Sequence, residues 1–171
     1  MKRLASFALF IVFAFCLTAC AVPAKGGGAS RENNLNCAFE SEVSFVLGKL
    51  NADGVLAHDE NGAWSVEFSS PNTLSGVKLE FAEGEVNASY KGLSFSVPQS
   101  ALPVKAMMLN LIQAVADKST AEKLSGEEKD GMFLVSGTLE GGDYTISADS
   151  EGKLKAFEMP NNKLKITLHN S

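Results

Sequence analysis

Phe39-Glu40-Ser41-Glu42-Val43-Ser44-Phe45-Val46-Leu47 decides the fold. Phe39, Ser41, Val43, Phe45 and Leu47 fall on one face of an extended chain. Glu40, Glu42 and Ser44 fall on the other. A period of two with acids on one side describes a strand with one buried and one wet face. The same period continues downstream. Leu50 to His58 reads as a weaker strand, and Asn61-Gly62 as a tight turn. Trp64, Val66 and Phe68 alternate with Ser65, Glu67 and Ser69, and Val77, Leu79 and Phe81 with Lys78 and Glu80. Glu83-Gly84 and Lys91-Gly92 mark turns around Val86, Ala88 and Tyr90, and Leu93, Phe95 and Val97 follow. Turn signals every eight to ten residues describe an antiparallel meander.

After Pro98 the period changes. Pro103 suits a first helical turn. Val104, Met107, Met108, Leu111, Ile112 and Val115 recur at helical spacing, with Leu109 off the stripe. A helix apolar over more than one face needs cover on most sides. Ser119 to Leu124 reads as a second short helix and Ser125 to Gly131 as a charged loop. Strands then resume at Phe133 to Leu139, Tyr144 to Ala148, Leu154 to Met159 and Leu164 to Leu168. The expectation is a mostly β, α+β fold. About ten antiparallel strands curl, because strongly twisted sheets of that size do not stay open and flat. They form an incomplete barrel plugged by one or two helices.

The N-terminus has a different character. Lys2 and Arg3 precede an apolar run from Leu4 to Leu17, followed by Leu17-Thr18-Ala19-Cys20. A charged start, a short apolar core and small residues form an export signal. At about 14 residues the core is shorter than the ~20 that span a bilayer. Leu-Thr-Ala-Cys resembles the lipobox of bacterial lipoproteins. That resemblance implies diacylglycerol on the Cys20 sulfur, cleavage before Cys20 and often a third acyl chain on its amino group. The expected organisation is a signal peptide over 1–19, a lipidated cysteine with a Gly-rich flexible tether over 20–34, and one folded domain over 35–171. The expected location is extracytoplasmic, lipid-anchored to the cell membrane. Ala21 is compatible with an outer membrane in a Gram-negative cell.

Charge and cysteines agree with export. The whole chain carries a formal charge of −5; the signal holds two of its 15 basic residues and no acid, leaving −7. An acidic domain is a poor nucleic-acid binder. With Cys16 and Cys20 in the N-terminal segment, Cys37 remains alone and forms no internal disulfide. It reads as a small buried hydrophobe.

The element order resembles the LolA/LolB-like lipoprotein fold, with which mycobacterial half-barrel lipoproteins are grouped. The local resemblance lies in Trp64-Ser65-Val66-Glu67-Phe68-Ser69-Ser70-Pro71, Leu74-Ser75-Gly76 and Tyr90-Lys91-Gly92-Leu93. It implies an apolar cavity between sheet and helix that holds acyl chains. The candidate lining is Trp64, Phe68, Leu79, Phe81, Phe95, Met107, Met108, Leu111 and Phe133, although a filled core uses the same residue types. Methionine suits a cavity of varied contents, since its side chain adapts.

Enzyme chemistry finds little support. His58, in His58-Asp59-Glu60-Asn61-Gly62, reads as part of a solvated turn, and His169 as part of a frayed end. No Gly-x-Ser-x-Gly elbow, phosphate loop or Cys pair occurs. No catalytic residue, metal ligand or cofactor is assigned. Lys153, Lys155, Lys163 and Lys165 form a basic strip that reads as edge-strand protection, or as a contact for lipid phosphates. The leading expectation is a non-enzymatic, membrane-tethered domain binding or transferring a lipid or acyl chain. The alternative is a ligand-free structural or protein-interaction module of the cell envelope, with envelope proteins as partners.

Overall fold

The computed structural model describes residues 28–101 and 107–169. The signal peptide, Cys20, most of the expected tether and the helix start at Pro103 and Val104 lie outside them.

Among the described residues twelve strands form one antiparallel sheet. They are β1 (Ala29–Glu32), β2 (Phe39–Leu47), β3 (Leu50–His58), β4 (Trp64–Ser70), β5 (Lys78–Ala82), β6 (Glu85–Tyr90) and β7 (Leu93–Pro98), then β8 (Lys123–Lys129), β9 (Met132–Leu139), β10 (Gly142–Ala148), β11 (Leu154–Met159) and β12 (Leu164–Leu168). An α-helix, α1 (Met107–Ser119), lies between β7 and β8. The spatial order is β1-β8-β9-β10-β11-β12-β2-β3-β4-β5-β6-β7, so the sheet has two ends, β1 and β7, and does not close into a barrel. The N-terminal meander and the C-terminal meander join where β12 pairs with β2, Ile166 opposite Phe45.

The core sits on one face. Val43 and Phe45 of β2, Val66 and Phe68 of β4, Phe81 of β5, Val86 of β6, Phe133 of β9, Ile146 of β10, Phe157 of β11 and Ile166 of β12 join one buried cluster. Met108, Leu111, Ala114 and Val115 of α1 belong to the same cluster. Twelve flat strands would span about 55 Å, whereas a 13-residue helix is about 20 Å long. One such helix cannot cover a flat sheet of that width, so shared burial requires the sheet to curl around it. Gly54 marks one point of closest approach. A Cβ there would run into the Glu67 carbonyl and the Phe68 backbone, and the β3–β4 register shifts between Asp53 and Gly54. Beside this glycine, Phe45 and Phe68 bring their rings to 5.6 Å.

Several expectations change. The second helix over Ser119–Leu124 and the loop over Ser125–Gly131 are replaced by the end of α1 and by β8. Lys123-Leu124-Ser125-Gly126-Glu127-Glu128-Lys129 buries only Leu124, so its strand state comes from pairing with β9 and β1, not from alternation. The stretch before residue 35 is not tether throughout. Ala29–Glu32 pairs with β8, and Arg31 donates to the Asp149 carbonyl at 2.9 Å. Asn33 Nδ2 donates to the carbonyls of Lys118 and Ala121 at 2.8 and 2.6 Å, satisfying acceptors that a helix C-terminus leaves open. Cys37 is exposed rather than buried, because it precedes β2 in a turn, where strand alternation does not apply. The lysine strip is not at a sheet edge, since β11 and β12 are interior strands. Lys153, Lys155 and Lys165 pair with Glu151, Asp149 and Glu158 at 2.8, 3.8 and 2.6 Å.

Candidate functional site

The β5, β6 and β7 end of the sheet does not fill its concave side. Phe68, Leu79, Phe81, Val86, Ala88, Phe95, Val97, Met107 and Met108 line a cavity of about 350 Å³. That is near the low end of the roughly 300–1,000 Å³ of small-molecule sites. Its position follows from strand phase. Leu79 stands opposite Ala88, and Ala88 opposite Phe95; Phe81 stands opposite Val86, and Val86 opposite Val97. Directly opposed residues share a face, so three strands present one apolar wall. Small residues at Val86 and Ala88 leave space between the larger Phe81 and Phe95. The two methionines close the helix side.

The cavity opens toward β7. Phe95 is 66 % exposed and Leu93, two residues earlier on the same face, is 76 % exposed. Large apolar side chains left this open on an inward face are unusual in a packed domain, where the core would cover them.

Six of the nine sequence candidates meet at this cavity: Phe68, Leu79, Phe81, Phe95, Met107 and Met108. Trp64, Leu111 and Phe133 do not; they are core. Trp64 stacks on His58 at 4.5 Å and meets Phe39 edge-on at 5.7 Å. Phe133 lies below the Arg31 guanidinium, 5.1 Å from the ring centroid. Val86, Ala88 and Val97 line the cavity without being among the candidates. Their alternation is visible in the sequence, but their small size suggests filler rather than wall.

His58 is not in a solvated turn. It ends β3 on the inward phase of Ala52, Gly54 and Leu56 and is 3 % exposed. Its Nδ1 lies 3.1 Å from the Cys37 carbonyl oxygen. A carbonyl only accepts, so Nδ1 carries the proton and donates. His169 is tied down rather than frayed: its backbone N–H donates to the Glu42 carbonyl at 2.9 Å, and its Nε2 is 2.8 Å from Ser44 Oγ. Ser44 and Ser70 hydroxyls donate to the two Asp53 carboxylate oxygens, each at 2.8 Å. This exposed group has the residue types of a hydrolytic triad in another arrangement. Asp53 binds the serines directly instead of orienting the histidine, which is the role the aspartate plays in that chemistry. Among the described residues no group of three or more His, Cys, Asp or Glu is placed to hold a metal ion.

The Ser70 and Ser44 hydrogen bonds hold the Asp53 carboxyl below its usual 3.8, and the charge of His169 adds to this. A carboxyl depressed in the fold adds stability above its unfolded pKa, and that contribution is lost as pH falls through the folded value. Asp53→Asn is therefore expected to flatten the acid limb of the stability profile below about pH 4. Urea midpoints measured across pH check this. An acid limb as steep as that of the unsubstituted chain would contradict it.

No family model matches the chain, and no curated protein matches it. Solved structures do. An uncharacterised conserved protein from Thermus thermophilus is similar at a TM-score of 0.53 and 15 % identity, over 80 % of this chain and 78 % of that one. The structure of the CwlD amidase from Clostridioides difficile in complex with the GerS lipoprotein contains a chain similar at 0.41 and 15 %, over 88 % and 83 %. A LolA superfamily protein from Nitrosomonas europaea is similar at 0.36 and 11 %, over 75 % and 67 %. At 15 % identity the likeness to the Thermus thermophilus protein concerns the fold alone.

Proposed function

We propose that this chain is a membrane-anchored, extracytoplasmic lipoprotein whose domain binds or transfers a lipid or acyl chain. The observation that carries the reading is the cavity at the β5–β7 end, walled by Phe68, Leu79, Phe81, Val86, Ala88, Phe95, Val97, Met107 and Met108 and open beside Phe95. A wall without a charged side chain selects by burial, not by ion pairing. At roughly 25 cal/mol per Å² of apolar area removed from water, enclosing an alkyl chain stabilises the complex by several kcal/mol. The site needs no catalytic group, and the role is non-enzymatic.

The anchoring half of the proposal rests on Lys2, Arg3, the apolar run to Leu17 and Leu17-Thr18-Ala19-Cys20. Two or more acyl chains on Cys20 give firm attachment where one does not. Lipidation and cavity occupancy are separable. Mass analysis of the purified protein is expected to show added acyl mass that disappears with Cys20→Ser. Organic extraction of the Cys20→Ser protein, followed by mass spectrometry, is expected to release close to one lipid per chain from the cavity. An empty Cys20→Ser protein would favour the ligand-free envelope module.

A further inference from the structure

The second feature of the β7 end is its free edge. Among the described residues β7 pairs with β6 on one side and with nothing on the other. An edge strand is normally kept from further pairing by shortness, lysine, proline, a bulge or an inward charge, and of these β7 has a length of six residues and a proline, Pro98, at its end. Leu93-Ser94-Phe95-Ser96-Val97 carries no charge and keeps an unshifted register along β6. We infer that this edge binds the same edge of a second copy of the chain, as an antiparallel β7–β7 pair about a two-fold axis through Phe95.

Three observations converge on a second copy. The first is the pattern of the strand. Apolar, polar, apolar, polar, apolar reads the same in both directions, and a two-fold contact requires such self-complementarity. With Phe95 opposite its symmetry mate, Leu93 faces Val97 of the other copy and Ser94 faces Ser96. All the apolar side chains stay on the concave face.

The second is the direction of the free backbone groups. Lys91 and Gly92, both at positive φ (48° and 81°), form the two-residue turn joining β6 to β7. In such a hairpin the flanking residues, Tyr90 and Leu93, exchange hydrogen bonds, and every second pair beyond them does likewise. Leu93, Phe95 and Val97 therefore bond inward to β6. The Gln99 N–H, in the same phase, donates to the Gly84 carbonyl at 2.8 Å, consistent with this. Ser94 and Ser96 then direct their N–H and C=O groups outward. In the two-fold register these two residues face each other across the seam. A hydrogen-bonded Ser94–Ser96 pair forms on each side of the axis, and Phe95 occupies the close, non-hydrogen-bonded position. Pro98, which has no N–H, ends the usable edge.

The third is what the contact would cover. Leu93 and Phe95, 76 % and 66 % exposed, are the two most open large apolar side chains described. Pairing places each beside the other copy's cavity mouth and sets the two cavities against one seam. The contact is one strand wide, below the ~1,200 Å² of stable interfaces, so a reversible dimer is expected. Attachment to a common membrane would raise the effective concentration of such a pair. The inference depends on the strand and not on what fills the cavity.

Cysteine pairing in membranes carrying the full chain tests it. In a Cys37→Ser background, Ser94→Cys with Ser96→Cys is expected to give a disulfide-linked dimer under mild oxidation, since facing strand positions lie within the ~4.4–6.8 Å Cα range of disulfides. Ser96→Cys alone is expected to give at least tenfold less, because its facing residue remains serine. Adding Phe95→Lys to the double variant is expected to abolish the dimer by placing two charges on the axis. Three results would overturn the inference: no dimer above that of Ser65→Cys on the outer face, equal cross-linking by Ser96→Cys alone, or adducts only with a different protein.

Discussion

Phe133→Ala is expected to lower the unfolding free energy by about 3–5 kcal/mol, the cost of truncating a buried phenylalanine. For a chain of this size that is a fall of roughly 6–20 °C in Tm. Phe133 is fully buried in β9. Its ring lies against Gly126 of β8, where a Cβ would come within 3.2 Å of it, and the Arg31 guanidinium covers it from β1. The substitution leaves a void where three strands meet and removes the surface on which β1 and β8 lean. Thermal melts and urea titrations read the loss. Phe95→Ala is the control. Phe95 is mostly exposed, so its truncation is expected to stay within about 0.5 kcal/mol. Equal losses at the two positions would mean that Phe133 does not bear on packing as its burial requires.

Ala88→Phe is expected to reduce co-extracted lipid at least tenfold while the domain stays folded. Ala88 sits on β6 between Leu79 and Phe95, with its methyl group on the cavity wall. A phenyl ring there occupies the volume an alkyl chain would take. Because the ring enters open space, the overpacking cost of about 1–3 kcal/mol seen in filled cores is largely avoided. A tenfold loss corresponds to about 1.4 kcal/mol of binding, modest for the apolar contact removed. Extraction and mass spectrometry of Ala88→Phe beside the unsubstituted chain give the ratio, with Val46→Phe on the outer face as control. Undiminished lipid in a folded Ala88→Phe protein would place the ligand elsewhere or show that the cavity holds none.

Much of the fold is legible in the sequence because its signals are local. Phe39 to Leu47 alternates without a break and becomes β2 with Ser41, Val43 and Phe45 buried. Lys91-Gly92 becomes the β6–β7 turn. Met107 to Val115 becomes one helix apolar on more than one side, with Met108, Leu109, Leu111, Ala114 and Val115 buried. At the cavity, phase and size identify Phe68, Phe81, Phe95 and the two methionines. They do not identify Val86, Ala88 and Val97, because a wall can be made of small residues, and side-chain size does not say where space is left.

What the sequence alone determined is the type of most elements and the face each turns inward, since alternation and helical periodicity are properties of consecutive residues. Only the tertiary structure decided which strands are neighbours. β12 meets β2 across more than a hundred residues, which makes the lysine-bearing strands interior. β8 is a strand because β9 and β1 flank it, and the stretch before Leu35 is bound because β8 offers an edge. Hydrogen-bonded pairing between distant strands leaves no periodic mark in either segment. The cavity and the free edge of β7, which are consequences of that pairing, therefore became visible only in three dimensions.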